Sequence, residues 1–427
     1  MKKRILKNCA WTIGMLIGAI CLGTIFMILA YLLPVNKMRQ NANESISMLL
    51  EEGDYYKWIS KDITSQSDGF TDALMINTAT YEGEGSIVEK ALLNPRADYL
   101  SEDSQTQILA NSLDGIEQDR VKAYGRYWHG YIVILKPLLV LFNYSRIRWI
   151  NTFVSCVLIA FILLGFYKRF ANYKYAICFM GAIIFLNPLV MRISLQFNTV
   201  FYVIMVEYIV ALYFGKQLEE KGYFKYLFLL SGILVSFLDL LTYPIAAMGM
   251  LCVLQLLLFD DTLKNNIWRA VKGIVMWLVG YIGMWSGKWI IASLLTKENI
   301  IENAINSILY RTGTSTGVEG WDFSWKGLFI GNFNWIFGEN AILFKMFIII
   351  FFATVVFLII SKKVVIRLNL QFIITMLFFC FIPIGRYVVV SNHSFIHSFF
   401  TYRECIVAIM AIMCTIVNSI EVNSSLQ

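Results

Sequence analysis

The segment "WTIGMLIGAICLGTIFMILAYLL", residues 11–33, contains no charged residue. A helix needs about 20 apolar residues to cross the hydrocarbon core of a bilayer, so this segment predicts a transmembrane helix. It follows "MKKR" as a signal peptide would, yet it is longer than a signal-peptide core and lacks a small-residue cleavage site. We therefore expect residues 1–34 to form an uncleaved anchor whose N-terminus stays in the cytoplasm.

Further apolar runs extend along the whole chain. Apolar residues make up 58% of the 427 residues and charged residues only 15%, which is typical of a chain solvated mainly by lipid. We predict an all-α polytopic membrane protein with about ten transmembrane helices and the lipid bilayer as its surroundings. After residues 11–33, the predicted spans are 149–166, 175–190, 200–214, 226–241, 245–259, 274–295, 342–360, 370–390 and 399–417.

Basic residues indicate the direction of each span, because Lys and Arg resist transfer across the membrane. With ten spans, every inner segment between spans carries at least three basic residues, and both termini are cytoplasmic. The shorter apolar run at 130–143 would break this alternation as a span, so we predict a helix in the outer interface. The net charge of +7 comes mostly from the inner segments, so it indicates no nucleic-acid partner.

Two long outer segments separate groups of spans. Residues 35–148 predict a large, mostly helical extracytoplasmic loop with interfacial helices, since connections of this length are usually functional. Residues 296–340 are rich in Gly, Ser and Thr without hydrophobic periodicity, which predicts a mobile loop acting as a lid or as a plain connector. Residues 149–295 then hold spans two to seven, and residues 341–427 hold spans eight to ten and a short cytoplasmic tail.

Two carboxylates in the first outer segment are candidates for catalysis. Asp68 and Asp72 are four residues apart in "SDGFTDALMINTA" (67–79), so both can face one side of a short helix. Two carboxylates so close together raise the pKa of one of them, which suits a general base. We take Asp72 as the first choice and Asp68 as the second. In the structural alternative, Asp68 caps the helix and Asp72 is solvated.

A cation and an imidazole stand together in "RYWHG", residues 126–130. Arg126 and His129 are hydrogen-bond donors of the kind that a phosphate requires, and the segment precedes the predicted interfacial helix. Tyr and Trp also anchor loops at the headgroup level, so an aromatic belt is the structural alternative.

The last predicted outer turn, "SNHSFIHSFFTYRE" (391–404), contains two of the three histidines. His393 and His397 have a spacing that suits metal ligands on a helix. A zinc protease motif of the HExxH type needs a glutamate after the first histidine, where this chain has Ser394, so that class is excluded.

The same turn is better interpreted as a cationic pocket. Arg386, His393 and Arg403 would bind the phosphate of a donor together with the RYWHG segment, and a polar helix cap is the alternative. The cavity around them would be lined by Asp239, Tyr243, His397 and Glu404. Asp239 is included because an ionisable group at membrane depth usually faces a cavity.

Other kinds of site are excluded by their spacing. All eight cysteines lie in or beside apolar runs without a CxxC pair, so neither a disulfide framework nor a zinc site is predicted. The segment "GMWSGKW" (283–289) is one residue short of a phosphate loop and lies in a span, so nucleotide-driven transport is not indicated. We assign no metal ligand and require no cofactor, although the chemistry below is compatible with a divalent cation.

The layout resembles the GT-C class of integral membrane glycosyltransferases. The resemblance rests on a first span entering from the cytoplasm, a large acidic first outer loop, and the Pro-containing segment "YIVILKPLLVLFNYSRIRWINTF" (131–153) before span two. The carboxylates depart from that pattern, since Asp68 and Asp72 follow Leu33 by more than thirty residues.

The resemblance implies transfer of a sugar from a polyprenyl-phosphate carrier to an extracytoplasmic glycan or polymer, in the cytoplasmic membrane of a bacterium. Asp72 or Asp68 would be the base, and the cationic pocket would stabilise the departing lipid phosphate. Two alternatives remain open: a transporter or flippase of a lipid-linked saccharide, and a non-catalytic subunit of a surface-polysaccharide complex.

Overall fold

A computed structural model describes residues 2–317, 320–338 and 340–422 of the chain. The first helix, α1 (Lys2–Tyr31), contains the whole uncharged segment except its last two residues. It ends just before Pro34, which has no N–H group to continue a helix and instead precedes the next one.

The segment that follows α1 is mostly helical. It contains six helices, one 3₁₀ turn (Ile63–Ser65) and a two-stranded antiparallel sheet in which Arg96 is opposite Lys122. In chain order the elements are α2 (Val35–Asn43), α3 (Ile46–Glu52), α4 (Gly69–Thr80), α5 (Ile87–Leu93), β1 (Arg96–Asp98), α6 (Gln105–Leu113), β2 (Arg120–Lys122) and α7 (Ile132–Leu141). Helix α7 coincides with the predicted interfacial helix, and its ten residues cover only about 15 Å.

The central part of the chain forms a helical bundle. Its elements are α8 (Tyr144–Phe170), α9 (Lys174–Phe185), α10 (Pro188–Met191), α11 (Leu195–Glu220), α12 (Phe224–Leu238), α13 (Ile245–Phe259) and α14 (Leu263–Leu295). Their buried apolar side chains form the main core, to which α9, α11 and α13 contribute most.

The segment 296–340, predicted to be a mobile loop, contains two helices, α15 (Ile300–Thr312) and α16 (Trp325–Phe337). The lack of hydrophobic periodicity in this segment did not indicate these helices. Each helix begins at a capping side chain, Asn299 or Ser324, which accepts a hydrogen bond from the first turn. Of the Gly- and Thr-rich stretch between the helices, residues 318 and 319 lie outside the described residues.

The remaining elements complete the bundle. They are α17 (Ile342–Ile360), β3 (Val364–Ile366), α18 (Leu370–Cys380), α19 (Ile382–Val389), α20 (Ser391–Ile396), α21 (Ser398–Thr401), α22 (Ile406–Asn418) and β4 (Ile420–Val422), with a 3₁₀ turn at Tyr402–Cys405 before α22. Strands β3 and β4 pair antiparallel.

Seven segments of the described chain are helical, long and apolar enough to cross a membrane, which is consistent with an all-α polytopic membrane protein. They are Leu6–Tyr31, Tyr144–Phe170, Leu195–Glu220, Leu263–Leu295, Ile342–Ile360, Leu370–Val389 and Ser398–Asn418. The other three predicted spans form the shorter helices α9, α12 and α13, of 12, 15 and 15 residues. They are short because the turns at Asn187–Pro188 and at Asp239–Pro244 interrupt the apolar runs.

The two ends of the bundle differ. At one end, the basic end, α1 begins and the short turns 171–173, 221–223, 260–262 and 361–369 connect the helices. Hydrogen bonds connect elements at this end: Asn8–Tyr226, Asp260–Asn369 and Tyr175–Asn418. At the other end, the loop end, elements α2 to α7 pack against the first turns of α8 and α11.

Helices α12 and α14 cross at close range because glycines lie at the crossing. A Cβ atom at Gly280 would collide with the carbonyl oxygen of Leu229, and one at Gly232 would collide with that of Trp277. Small residues permit this approach between helices in a membrane.

We expect Gly280→Ala to lower the free energy of unfolding by about 1–3 kcal/mol, because the added methyl group forces the helix backbones apart. Thermal unfolding in detergent measures the change. Gly14→Ala is the matched control, since a Cβ there meets no atom within 4 Å. Equal shifts for the two variants would contradict the close crossing.

Candidate functional site

Asp72 is buried at the junction between the loop-end elements and the bundle. Its Oδ2 accepts a hydrogen bond from the Tyr144 hydroxyl at 2.6 Å, and its Oδ1 lies 3.2 Å from the backbone N–H of Gln196 and 3.3 Å from the Ser194 hydroxyl. Asp72 thus caps the N-terminus of α11, where unpaired N–H groups favour a negative charge. Burial raises its pKa to about 6, and the Tyr144 hydrogen bond opposes the rise. The alternative of a solvated Asp72 is wrong.

Asp68 is the N-cap of α4. It accepts hydrogen bonds from the backbone N–H and the hydroxyl of Thr71, at 2.9 and 3.0 Å. Burial raises the pKa of Asp68 to about 7, the Thr71 hydrogen bonds and the Arg403 charge oppose the rise, and the charge of Asp72 adds to it. Asp68 therefore caps α4, and the same carboxylate has a pKa near neutral pH.

Asp239 lies where α12 ends, and it is buried. Its carboxylate accepts hydrogen bonds from the backbone N–H and the hydroxyl of Thr242, and the Thr199 hydroxyl lies 3.2 Å away. Two residues further on, Leu241 has a left-handed φ of +69°, which is uncommon for a leucine. Its carbonyl oxygen lies within hydrogen-bond distance of His393 and Arg386. The strained turn therefore supplies an acceptor to these buried side chains.

Arg386 and Glu404 form an ion pair that is almost inaccessible to solvent. The Arg386 Nε lies 3.0 Å from a Glu404 carboxylate oxygen, and the same oxygen accepts a hydrogen bond from the first N–H of α13, at Ile245. The other guanidinium nitrogens donate to Ser394 and to the carbonyl oxygens of the strained turn. Arg386, predicted to bind phosphate, therefore has its charge paired with Glu404 within the protein.

His393 is buried, and both of its ring nitrogens are engaged. Its Nε2 lies 2.9 Å from the Leu241 carbonyl oxygen, which can only accept, and its Nδ1 lies 2.7 Å from the Arg311 guanidinium, which can only donate. The ring is therefore neutral and protonated at Nε2. Burial lowers the pKa of His393 well below its usual range, and the charges of Arg311 and of neighbouring groups add to the effect.

His129 is held in the same way. Its Nε2 lies 3.1 Å from the Tyr124 carbonyl oxygen and its Nδ1 lies 2.8 Å from the Tyr131 hydroxyl. Burial first, and then the charges of Lys288 and Arg96, lower its pKa well below the usual range. Neither predicted phosphate-binding histidine has a free nitrogen for an incoming anion.

The hydrogen bonds around Asp72, Asp239 and Arg386 connect into one set, which we call the loop-end network. Gln196 contacts Asp72 through its N–H and Thr199 through its carbonyl, and Thr199 contacts Asp239. The members are Asp72, Gln196, Thr199, Asp239, Leu241, Thr242, Arg386, His393, Glu404 and Arg311. Five residues predicted from separate stretches of sequence are thus brought together: Asp72, Asp239, Arg386, His393 and Glu404.

Three further predicted residues lie beside the network. The Arg403 guanidinium stacks 3.8 Å from the centre of the Phe197 ring and donates to the carbonyl oxygen of Phe399, while its Nε has no partner in the described part of the chain. The Tyr243 hydroxyl donates to the Phe197 carbonyl oxygen at 2.6 Å. His397 packs against the ring of His393 at 4.6 Å between centroids.

Six cations at the loop end lie over aromatic rings rather than beside carboxylates. Over the described ranges, none of them has a carboxylate at ion-pair distance. They are Arg96 and Arg126 over Tyr124, Lys136 over Tyr31, Lys288 over Trp128, Arg311 over Tyr127, and Arg403 over Phe197. Burial lowers the pKa of Lys136 to about 7, so the four arginines are the members of this set that keep their positive charge for an anion.

An apolar cavity of about 160 Å³, the loop-end groove, adjoins the network between α4, α7, α8 and α11. Its walls include Met75, Ile134, Leu138 and Leu195. Thr199 also lines it, and Thr199 belongs to the loop-end network. In the same wall, the side-chain amide of Asn198 is buried with neither its nitrogen nor its oxygen bonded in the described structure.

Arg311, Tyr144 and Gln196 also contact the predicted residues, although none of the three was predicted from the sequence. Arg311 had a usable signal, because it is the only basic residue between Lys297 and Lys326 and it lies in a segment predicted to be outside the cytoplasm. Tyr144 and Gln196 each donate a hydrogen bond to Asp72, from which they are more than 70 residues away in the sequence. No local sequence pattern indicates such contacts.

In the described ranges, no three His, Cys, Asp or Glu side chains come together in a group that could hold a metal ion. The eight cysteines are all free thiols. Comparison of the chain with protein-family models, with curated proteins and with solved structures gives no match.

Proposed function

We propose that this protein is a membrane glycosyltransferase of the GT-C type. It moves a sugar from a polyprenyl-phosphate carrier to a glycan or polymer acceptor at the loop end, which we place outside the cytoplasm of a bacterium. The observation that carries the proposal is the junction at Thr199, where an apolar groove meets buried carboxylates and cations. A lipid-linked sugar phosphate has these two parts, an apolar tail and an anionic head.

The carboxylates supply the base, and the structure favours Asp68 over Asp72 for this role. A general base works best when its pKa is near the operating pH, and the pKa of Asp68 is about 7. Asp72 accepts three hydrogen bonds, two at the N-terminus of α11 and one from Tyr144 on α8, whereas both side-chain hydrogen bonds of Asp68 come from Thr71 alone. In our proposal Asp72 holds α4 on the bundle and so positions Asp68.

The stacked cations supply the stabilisation of the leaving group. Arg403 is the first choice, because its charge acts on Asp68 and its Nε is without a partner in the described chain. Arg311 and Arg126 share the ring of Tyr127 and extend the positive region toward solvent. These three replace Arg386, His129 and His393 as the proposed phosphate ligands, since the latter are occupied within the protein.

The reaction is a displacement at the anomeric carbon. Asp68 takes the proton of the acceptor hydroxyl as that oxygen bonds to the anomeric carbon. The bond between this carbon and the phosphate oxygen breaks, and its electron pair leaves with the polyprenyl phosphate beside Arg403. The loop-end groove holds the part of the polyprenyl chain next to the phosphate, and the bilayer solvates the remainder.

Reconstitution of the full-length protein in liposomes with labelled polyprenyl-phosphate hexoses and glycan acceptors tests the proposal. We expect labelled glycan and free polyprenyl phosphate to appear in equal amounts, and we expect Asp322→Asn, a change at an exposed carboxylate, to match the wild type. Movement of the lipid-linked sugar across the bilayer without transfer would contradict the enzyme and favour a flippase. Binding of the carrier without transfer or movement would favour a non-catalytic subunit.

A further inference from the structure

A second cavity lies at the basic end, away from the loop-end network. This cavity, the basic-end groove, has a volume of about 500 Å³ and lies between α1 and the turn that joins α11 to α12. The hydrogen bond from the Tyr226 hydroxyl to Asn8, 3.4 Å long, connects α1 with α12 at its edge. Nothing in the proposed reaction uses this groove.

Three lysines line the basic-end groove: Lys7 from α1, Lys221 from the turn and Lys225 from the start of α12. The nearest carboxylates in sequence are directed elsewhere, since Glu219 pairs with Arg269 at 3.4 Å and Glu220 lies 4.0 Å from Lys216. No Asp or Glu is among the residues that line the groove. The lining therefore contains three basic side chains and no acidic one.

The rest of the lining is apolar or aromatic. Met15, Val210, Leu227 and Leu230 form its apolar side, and Trp11 lies beside them with more than half of its side chain exposed. Trp and Tyr near an apolar surface are typical of the level where lipid headgroups meet hydrocarbon. The groove thus has a charged part and an apolar part, and a small soluble anion would use only the first.

We propose that the basic-end groove binds an anionic glycerophospholipid of the leaflet at that end. The phosphate of the headgroup would lie among Lys7, Lys221 and Lys225, and an acyl chain would cover Met15 and Leu230. Basic residues near a membrane surface contribute about 1 kcal/mol each toward anionic lipids. The bound lipid would connect α1 to α12 at the end where the Tyr226 hydroxyl donates a hydrogen bond to Asn8.

The site is independent of the proposed function, because the lipid is neither the sugar carrier nor in contact with the loop-end network. Its role would be to fix α1, whose apolar surface is mostly exposed, against the bundle. A ligand that binds only the folded arrangement raises its stability by mass action.

The test compares two triple variants of the full-length protein in neutral detergent. Lys7→Gln/Lys221→Gln/Lys225→Gln removes the charge of the groove. Lys264→Gln/Lys272→Gln/Lys363→Gln removes the same charge from exposed positions at the same end, outside the groove. Binding of phosphatidylglycerol and of phosphatidylcholine is measured by native mass spectrometry, and the melting temperature is followed as each lipid is added.

We expect phosphatidylglycerol to bind the wild type and to raise its melting temperature. The groove variant should lose about 100-fold in affinity for this lipid, at about fivefold per lysine, while the control variant keeps wild-type binding. Equal losses in the two triple variants would show non-specific attraction and overturn the proposal. Equal binding of phosphatidylcholine to the wild type would also overturn it, because the headgroup charge would then not be recognised.

Discussion

Asp68→Asn is expected to lower the rate of sugar transfer by about 10²- to 10⁴-fold, the usual contribution of a general base. Asparagine can still accept the Thr71 backbone hydrogen bond as an N-cap, so α4 should keep its first turn. The change therefore removes the proton acceptor without changing the fold. Transfer is measured in the liposome assay, and gel filtration and thermal unfolding show that the variant is folded.

The pH dependence provides a second readout of the same variant. The base acts only when ionised, and burial raises the pKa of Asp68 to about 7, so wild-type transfer should rise with pH and level off above pH 7. Residual transfer in Asp68→Asn should lack this rise. If neither Asp68→Asn nor Asp72→Asn lowers transfer in folded protein, a carboxylate base on α4 is refuted.

Arg386→Met should lower the free energy of unfolding by about 3–5 kcal/mol, because it leaves the Glu404 carboxylate buried without its cation. The matched control is Arg367→Gln. That arginine pairs with Glu421 at 3.1 Å, but 73% of its side chain is exposed, and exposed pairs contribute about 0–1 kcal/mol. Thermal unfolding in detergent compares the two variants.

The double variant Arg386→Met/Glu404→Met shows whether the loss of stability comes from the unpaired charge of Glu404 or from the other hydrogen bonds of Arg386. If the loss arises from an uncompensated buried charge, removing both charges should restore most of the stability. A double variant as unstable as Arg386→Met would show instead that the hydrogen bonds of Arg386 to Ser394 and to the strained turn carry the effect.

The class of fold and the position of the polar cluster could be predicted from the sequence for a physical reason. Apolar runs long enough to cross a bilayer are visible without knowledge of contacts, and all seven long helices lie where such runs predict them. Once the direction of each span is known, Asp72, Asp239 and Glu404 must lie near the same end of the bundle.

The state of each polar group could not be predicted, because it depends on partners that are distant in the chain. His393 looks like a cation in the sequence, but an arginine 82 positions away and a carbonyl oxygen 152 positions away make it neutral. Likewise, the hydrogen bonds of Asp72 could not be predicted, because their donors lie on α8 and at the start of α11. The number of long helices was overestimated because Asn187 and Pro244 looked like the ends of spans and not like breaks inside them.

The shortness of α12 and α13 has a consequence for the depth at which the polar network lies in the bilayer. Fifteen residues of helix cover about 22 Å, whereas the hydrocarbon core is about 30 Å thick. If both helices start level with their longer neighbours at the basic end, they stop about 8 Å below the opposite headgroups. Asp239 and the strained turn would then lie within the depth of the hydrocarbon core, where protein covers them: Asp239 is 2% exposed, and the Gly130 N–H donates a hydrogen bond of 2.8 Å to the carbonyl oxygen of Phe237 in the last turn of α12. The loop-end elements therefore fill the depth that the two short helices leave open, and the polar network lies below the level of the headgroups without contact with lipid.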